Sequence, residues 1–229
     1  MNTSIETRWF LPESDTGAAL LKSFLTRQHK DIDESKWDRE DFYKPTPHNY
    51  FGFKIREGKA EIKTILHDYG CISFGQSKGF VQLWDKYSFD LQKNPVEFPI
   101  ADAEQIKDKE SYQLINVNEH RWWRIAKSRA LLKYELDPTG GFNVTSEKFV
   151  EKGINMEIGK IKATNSSLPD NCENFSIYWT LAFESFGKFD DQLTLMENFI
   201  TALFNTELPG VFTESRSASY PSFLQKQQF

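Results

Sequence analysis

From residue 5 to residue 11 the apolar side chains Ile5, Trp9 and Leu11 fall on odd positions, and the charged side chains Glu6 and Arg8 fall on even ones. Successive strand residues point to opposite faces, so the alternation predicts a strand over about 4–11, ended by Pro12. The period then changes. Leu20, Leu21, Phe24 and Leu25 recur at helical spacing behind the capping residues Ser14 and Asp15, which predicts a helix over 15–27. Residues 28–48 are polar, carry two prolines and read as a mostly irregular connection. Two alternating runs flank Glu57-Gly58, a hairpin signal. Further strands are expected over 79–91, 111–118, 122–136, 154–163 and 175–187, with 111–118 paired to 122–136 through a turn near Glu119-His120. A short surface helix is expected over 100–110, and a last helix over 191–204 has Leu193, Met196, Ile200 and Leu203 on one face. About eight strands with a few helices suffice to close an antiparallel barrel.

The charged faces change that picture. Lys54 and Arg56 lie together opposite Phe53 and Ile55; Lys59, Glu61 and Lys63 oppose Ala60 and Ile62. Lys127, Arg129, Lys133 and Glu135 share a face, as do Asn155 and Glu157, and Tyr178, Thr180 and Glu184. Any one such face is an ordinary wet side of an antiparallel sheet. Together they repeat a base two residues from another base. Two like charges about 6 Å apart repel by roughly 3 kcal/mol at an effective dielectric near 20. At a surface water and salt relieve that repulsion, whereas in a confined interior carboxylates or a bound anion must offset it. Glu6, Glu61, Glu135, Glu157 and Glu184 supply part of the balance, and the planar fork of Arg suits phosphate oxygens for the rest.

The whole chain has 229 residues, a net charge of −5 and a pI near 5.5, which argues against DNA as a default partner. Cys71 and Cys172 have no metal-ligand spacing and read as reduced thiols of a cytoplasmic protein. No apolar run reaches the length of a membrane span, and the first residues lack the charged start and apolar core of a signal peptide. Neither a phosphate loop of the G-x-x-x-x-G-K-[ST] kind nor a G-x-S-x-G elbow occurs. The four histidines are scattered, 75–79 reads as a hairpin turn, and Trp122 and Trp123 point opposite ways and form no stacking platform.

In this order the charged strands resemble the CYTH family, the triphosphate tunnel metalloenzymes. Glu6 and Arg8 in "SIETR" line up with the family's opening ExExK, and Lys54 and Arg56 in "GFKIRE" with its next basic pair. Lys63 in "AEIKT", Lys127 and Arg129 in "RIAKSRALL", Glu157 in "INMEIGKI" and Glu184 in "LAFESFG" follow, then the helix at 191–204 and the tail "SASYPSFL". The resemblance spans nearly the whole chain. It implies one domain over 1–229, of α+β class, built on a closed eight-stranded antiparallel barrel (a tunnel) with flanking helices and a C-terminal helix. It implies a small anionic phosphate ligand held by Arg8, Lys54, Arg56, Lys63, Lys127, Arg129 and Lys133. It also implies Mg²⁺ or Mn²⁺ on Glu6, Glu157 and Glu184, with Glu6 and Glu184 as catalytic carboxylates. Two positions depart from the pattern: Ser4 stands where the first glutamate belongs, and Ala182 where the last strand's first glutamate belongs. The basic half is therefore fuller than the acidic half. A metal-dependent triphosphatase, a non-catalytic polyanion binder and a lipocalin-like carrier of an apolar ligand are the functions to separate, and nothing in the pattern sets an oligomeric state.

Overall fold

The computed structural model describes residues 2–30, 32–91, 122–147, 149–165, 175–187, 191–208, 210 and 212–227. Among the described residues there are nine strands: β1 Asn2–Pro12, β2 Arg39–Lys44, β3 Phe51–Arg56, β4 Lys59–Phe74, β5 Ser77–Asp90, β6 Trp123–Leu136, β7 Phe142–Thr145, β8 Gly153–Asn165 and β9 Phe175–Phe186. The helices are α1 Thr16–Arg27, α2 Gln192–Thr206 and α3 Tyr220–Lys226. Eight strands run β2-β3-β4-β5-β1-β9-β8-β6 and close through the β2–β6 pairing, with every neighbour antiparallel. This is the closed barrel expected from the strand count, and closure removes the edges an open sheet would expose. β7 lies outside the ring and pairs with the end of β6 from Lys133 to Leu136.

Two strands differ from expectation. β2 falls inside the stretch read as irregular. Its prolines, Pro45 and Pro47, follow the strand rather than interrupt it, and its inward positions Arg39, Asp41 and Tyr43 are polar, so no apolar face announced it. β7 is only four residues long, too short for alternation to register. The expected helix at 100–110 and strand at 111–118 lie outside the described residues. β6 pairs with β2 at Trp123–Lys127 on one edge and with β8 at Trp123–Glu135 on the other. The β3–β4 turn is as expected: Glu57 and Gly58 both have positive φ, 47° and 73°, the pattern of a two-residue hairpin loop.

The barrel is polar inside and apolar outside. Ile5, Trp9 and Leu11 on β1 point outward and join Ile158 on β8 and Leu181 and Phe183 on β9 in the largest buried cluster. Helix α1 covers that face with Leu21, Phe24 and Leu25, and α2 with Met196, Ile200, Leu203 and Phe204. Asp15 caps α1 by accepting a hydrogen bond from the Gly17 N–H at 2.9 Å. Trp9 is fully buried among Phe74, Phe183, Phe204 and Phe212, and its indole N–H donates to the Lys78 carbonyl at 2.9 Å. A glycine is required opposite it, since a Cβ at Gly79 would lie 2.4 Å from the Trp9 ring.

The interior has an apolar end. Phe10, Ile125 and Ile161 share their strands' inward faces with Arg8, Lys127 and Glu157, and they pack with Phe223 and Leu224 of α3. The Phe10 and Phe223 rings stack with centroids 3.9 Å apart. The tail is tied down ahead of α3, where the Ser217 hydroxyl donates to the Arg8 carbonyl at 3.0 Å and accepts from the Phe80 N–H at 2.9 Å. Trp122 and Trp123 are buried in different clusters, in line with opposite orientations. Among the described residues no helix is long and apolar enough to cross a membrane.

Candidate functional site: a cationic cavity inside the barrel

Between the α3 plug and the other end of the barrel lies a cavity of about 470 Å³. All ten candidate residues line it: Glu6, Arg8, Lys54, Arg56, Lys63, Lys127, Arg129, Lys133, Glu157 and Glu184. Period-2 alternation places them there. Each is on the face opposite the outward apolar set of its own strand, and closure turns those faces toward one another. Glu135 is exposed at the end of β6 and does not reach the cavity. Among the described residues nine Lys and Arg side chains and four Glu side chains line the walls, in a chain whose overall charge is −5.

The charges fall into three groups. In the first, Asp41 on β2 is fully buried and accepts from Lys127 at 2.8 Å and from Lys54 at 3.3 Å, with Arg39 at 3.5 Å and Arg56 at 4.0 Å. Glu61 on β4 continues the network, pairing with Lys54 at 3.1 Å, Lys86 at 3.4 Å and closely with Arg56. Burial works to raise the Glu61 carboxyl, but Lys54 and Arg56 outweigh it and hold the group down at about 2. Its share of stability is therefore full above the unfolded value of 4.5 and is lost as pH falls toward about 2. In the second group Glu157 accepts from Arg8 and from Arg129, one on each oxygen, both at 2.9 Å. Burial raises its carboxyl and these cations overcome that, leaving it far below the usual range.

The third group sits at the β1–β9 pairing, where Glu6 and Glu184 are directly opposite in register. Lys63 reaches Glu6 at 2.5 Å, and the Ser4 hydroxyl donates to the same oxygen at 2.6 Å. Both carboxyls are pushed up by burial. Lys63 overcomes this at Glu6, whereas Glu184 is raised further by the charge of Glu6. The pair therefore retains a demand for positive charge.

The lysines near Asp41 show the opposite strain. Burial, against the pull of Asp41, brings Lys54 and Lys127 down to about 8 from 10.5. Between those values the folded protein binds fewer protons than the unfolded chain, so the charged lysines cost stability at neutral pH. That cost is relieved as pH rises from about 8 to 10.5. An anion in the cavity would offset the same cost at neutral pH. Lys127 also lies 4.0 Å from the centre of the Tyr220 ring, which α3 carries into the cavity, and Arg8 lies 4.9 Å from it.

Several residues in or behind the cavity wall are not among those expected from the sequence. Arg39, Asp41 and Tyr43 alternate along β2 in the same manner as the residues found, but their strand was not recognised. Gln82 and Lys86 share the inward face of β5 with Trp84, whose apolar ring masks the pattern. Tyr220 carries no sequence signal of an inward position beyond its place in the tail. Among the described residues no group of three His, Cys, Asp or Glu side chains is arranged to hold a metal ion. No protein-family model matches the sequence, and no curated protein matches it.

Proposed function

We propose that the chain is a divergent triphosphate-tunnel protein that binds a triphosphate, inorganic or at the end of an organic molecule, in the barrel cavity. One observation carries this reading: among the described residues the walls of the barrel cavity bear nine cations against four carboxylates, with Asp41 behind them as a fifth, although the chain as a whole is acidic. Cations in excess within one cavity favour a multiply charged anion, and the forks of Arg8, Arg56 and Arg129 suit phosphate oxygens. The volume, about 470 Å³, falls in the range of small-ligand sites. Charged walls speak against an apolar ligand.

Hydrolysis is the extension of this reading. Mg²⁺ commonly takes one or two carboxylates plus substrate phosphates, and Glu6 and Glu184 meet that need as neighbours left short of positive charge. Such an ion would polarise a phosphoryl oxygen and activate water. The Glu6–Glu184 pair suits this role better than Glu157, each of whose oxygens accepts from an arginine. Binding without turnover is the second reading, favoured by Ser4 and Ala182, which leave the acidic end with two carboxylates.

The test is phosphate release from tripolyphosphate, ATP and thiamine triphosphate with Mg²⁺ or Mn²⁺, alongside equilibrium binding of each. Arg56→Ala is expected to weaken binding at least tenfold. Glu184→Gln is expected to remove turnover while leaving metal-free binding within a few-fold of wild type. Binding with no turnover above Glu184→Gln selects the second reading, and absence of binding rejects both.

A further inference from the structure

The functional reading uses the cations of the cavity but not the carboxylate beneath them. Asp41 is the one acidic side chain of β2's inward face, has no solvent exposure, and does not itself line the cavity. Its partners come from three strands: Arg39 and Tyr43 on β2, Lys54 and Arg56 on β3, and Lys127 on β6. Its Oδ2 takes both lysines, and its Oδ1 faces the two arginines without a hydrogen bond among the described residues. A carboxylate with so many cations around it supplies orientation and charge at once. It gathers four long side chains, which would otherwise repel, into one wall of the cavity.

We propose that Asp41 is the positioning residue of this anion site: from behind the wall it keeps Lys54 and Lys127 both aimed into the cavity and protonated at neutral pH. The proposal rests on the anion-binding reading and adds a residue that need not touch the ligand. The lysines have few other supports. Lys54 is also paired with Glu61, at 3.1 Å against 3.3 Å for Asp41, but Asp41 acts on its charge more strongly, and Arg56 and Lys127 oppose it. Lys127 has Glu157 at longer range, but Arg8 opposes it, and its remaining neighbours are the Tyr43 hydroxyl at 3.3 Å and the Tyr220 ring. Burial has already drawn both lysines down to about 8, so loss of the Asp41 charge would carry them lower still.

The consequence separates positioning from two simpler roles. If Asp41 only lowered the net positive charge of the cavity, Asp41→Asn would bind tripolyphosphate more tightly at every pH. If it only supported the fold, Asp41→Asn would weaken binding equally at every pH. The proposal predicts a pH-dependent loss. Wild-type affinity should fall as pH rises through about 8, following the two lysines. In Asp41→Asn that fall should begin more than one pH unit lower, with binding reduced at least tenfold at pH 7.5 and recovering at pH 6. Asp41→Glu should keep the wild-type midpoint at lower affinity, because it retains the charge but displaces it.

The experiment is calorimetric titration of tripolyphosphate into the full chain, wild type and both variants, from pH 6 to 9. The titration of the ligand itself is common to all three proteins and cancels between them. A parallel measurement needs no ligand: acetic anhydride labelling of Lys54 and Lys127 against pH, read by peptide mass spectrometry. There the wild-type half-point should lie near 8, and that of Asp41→Glu with it. An unmoved midpoint in folded Asp41→Asn overturns the role of Asp41 while leaving the anion site standing. Wild-type protein that binds no tripolyphosphate at any pH overturns the functional reading, and the labelling profile still decides whether Asp41 holds the lysines charged. Should Asp41→Asn not fold, a wild-type labelling half-point below pH 7 would itself contradict the proposal, because the lysines would then be neutral at pH 7 with Asp41 in place.

Discussion

Glu157→Gln is expected to lower the stability of the unliganded protein by about 3–5 kcal/mol, the cost of removing one partner from a buried ionic group. Glu157 sits between Arg8 and Arg129, bonded to each at 2.9 Å, and Lys127 also acts on it. Without the carboxylate those cations face one another across the cavity wall with no counter-charge between them. For a chain of this size the loss corresponds to a melting temperature lower by roughly 6–20 °C. Tripolyphosphate should then stabilise the variant more than it stabilises wild type, because the ligand supplies the missing negative charge. Thermal unfolding with and without tripolyphosphate in EDTA checks this. A variant as stable as wild type, altered only in its response to Mg²⁺, would instead support the metal-ligand role that the sequence resemblance implies for Glu157.

Trp9→Ala should be comparably costly for an unrelated reason. Trp9 is fully buried on the outer face of β1, where its ring meets four phenylalanines, and its N–H bonds to the Lys78 carbonyl. Truncation of a buried tryptophan removes its transfer free energy and leaves a cavity, together about 3–5 kcal/mol. The predicted signature is a large loss of stability with an unchanged increment on adding tripolyphosphate, since Trp9 itself does not line the cavity. Chemical denaturation measures the loss. A cost below about 1 kcal/mol would mean that the helices do not pack on this face as described.

The contrast between these two residues explains what the sequence could reveal. Wherever a strand had an apolar outer face, as β1 does with Ile5, Trp9 and Leu11, alternation located the strand and its inward charges together. All ten candidate side chains were found in that manner. β2 has only Phe42 buried on its outer face, so the strand was missed and Asp41 with it, though Arg39, Asp41 and Tyr43 alternate as regularly as any others. The partners of each charge were not legible at all. Glu157 looked equally suited to a metal or to bases, because its pairing with Arg8 and Arg129 depends on which strands adjoin, a long-range property that no local pattern encodes. Closure itself depends on β2 meeting β6, residues about 85 positions apart in the chain.

The central claim is that a barrel with its apolar face outward holds a polyphosphate within. The most direct measurement is calorimetric titration of tripolyphosphate into wild type and Arg8→Gln at pH 7 in EDTA, at low and high salt. One site per chain, weakened by salt as expected for an ionic ligand and reduced at least tenfold in Arg8→Gln, is the predicted result. Absence of binding at low salt, together with uptake of an apolar fluorophore, would contradict the claim and point to a carrier of hydrophobic ligands.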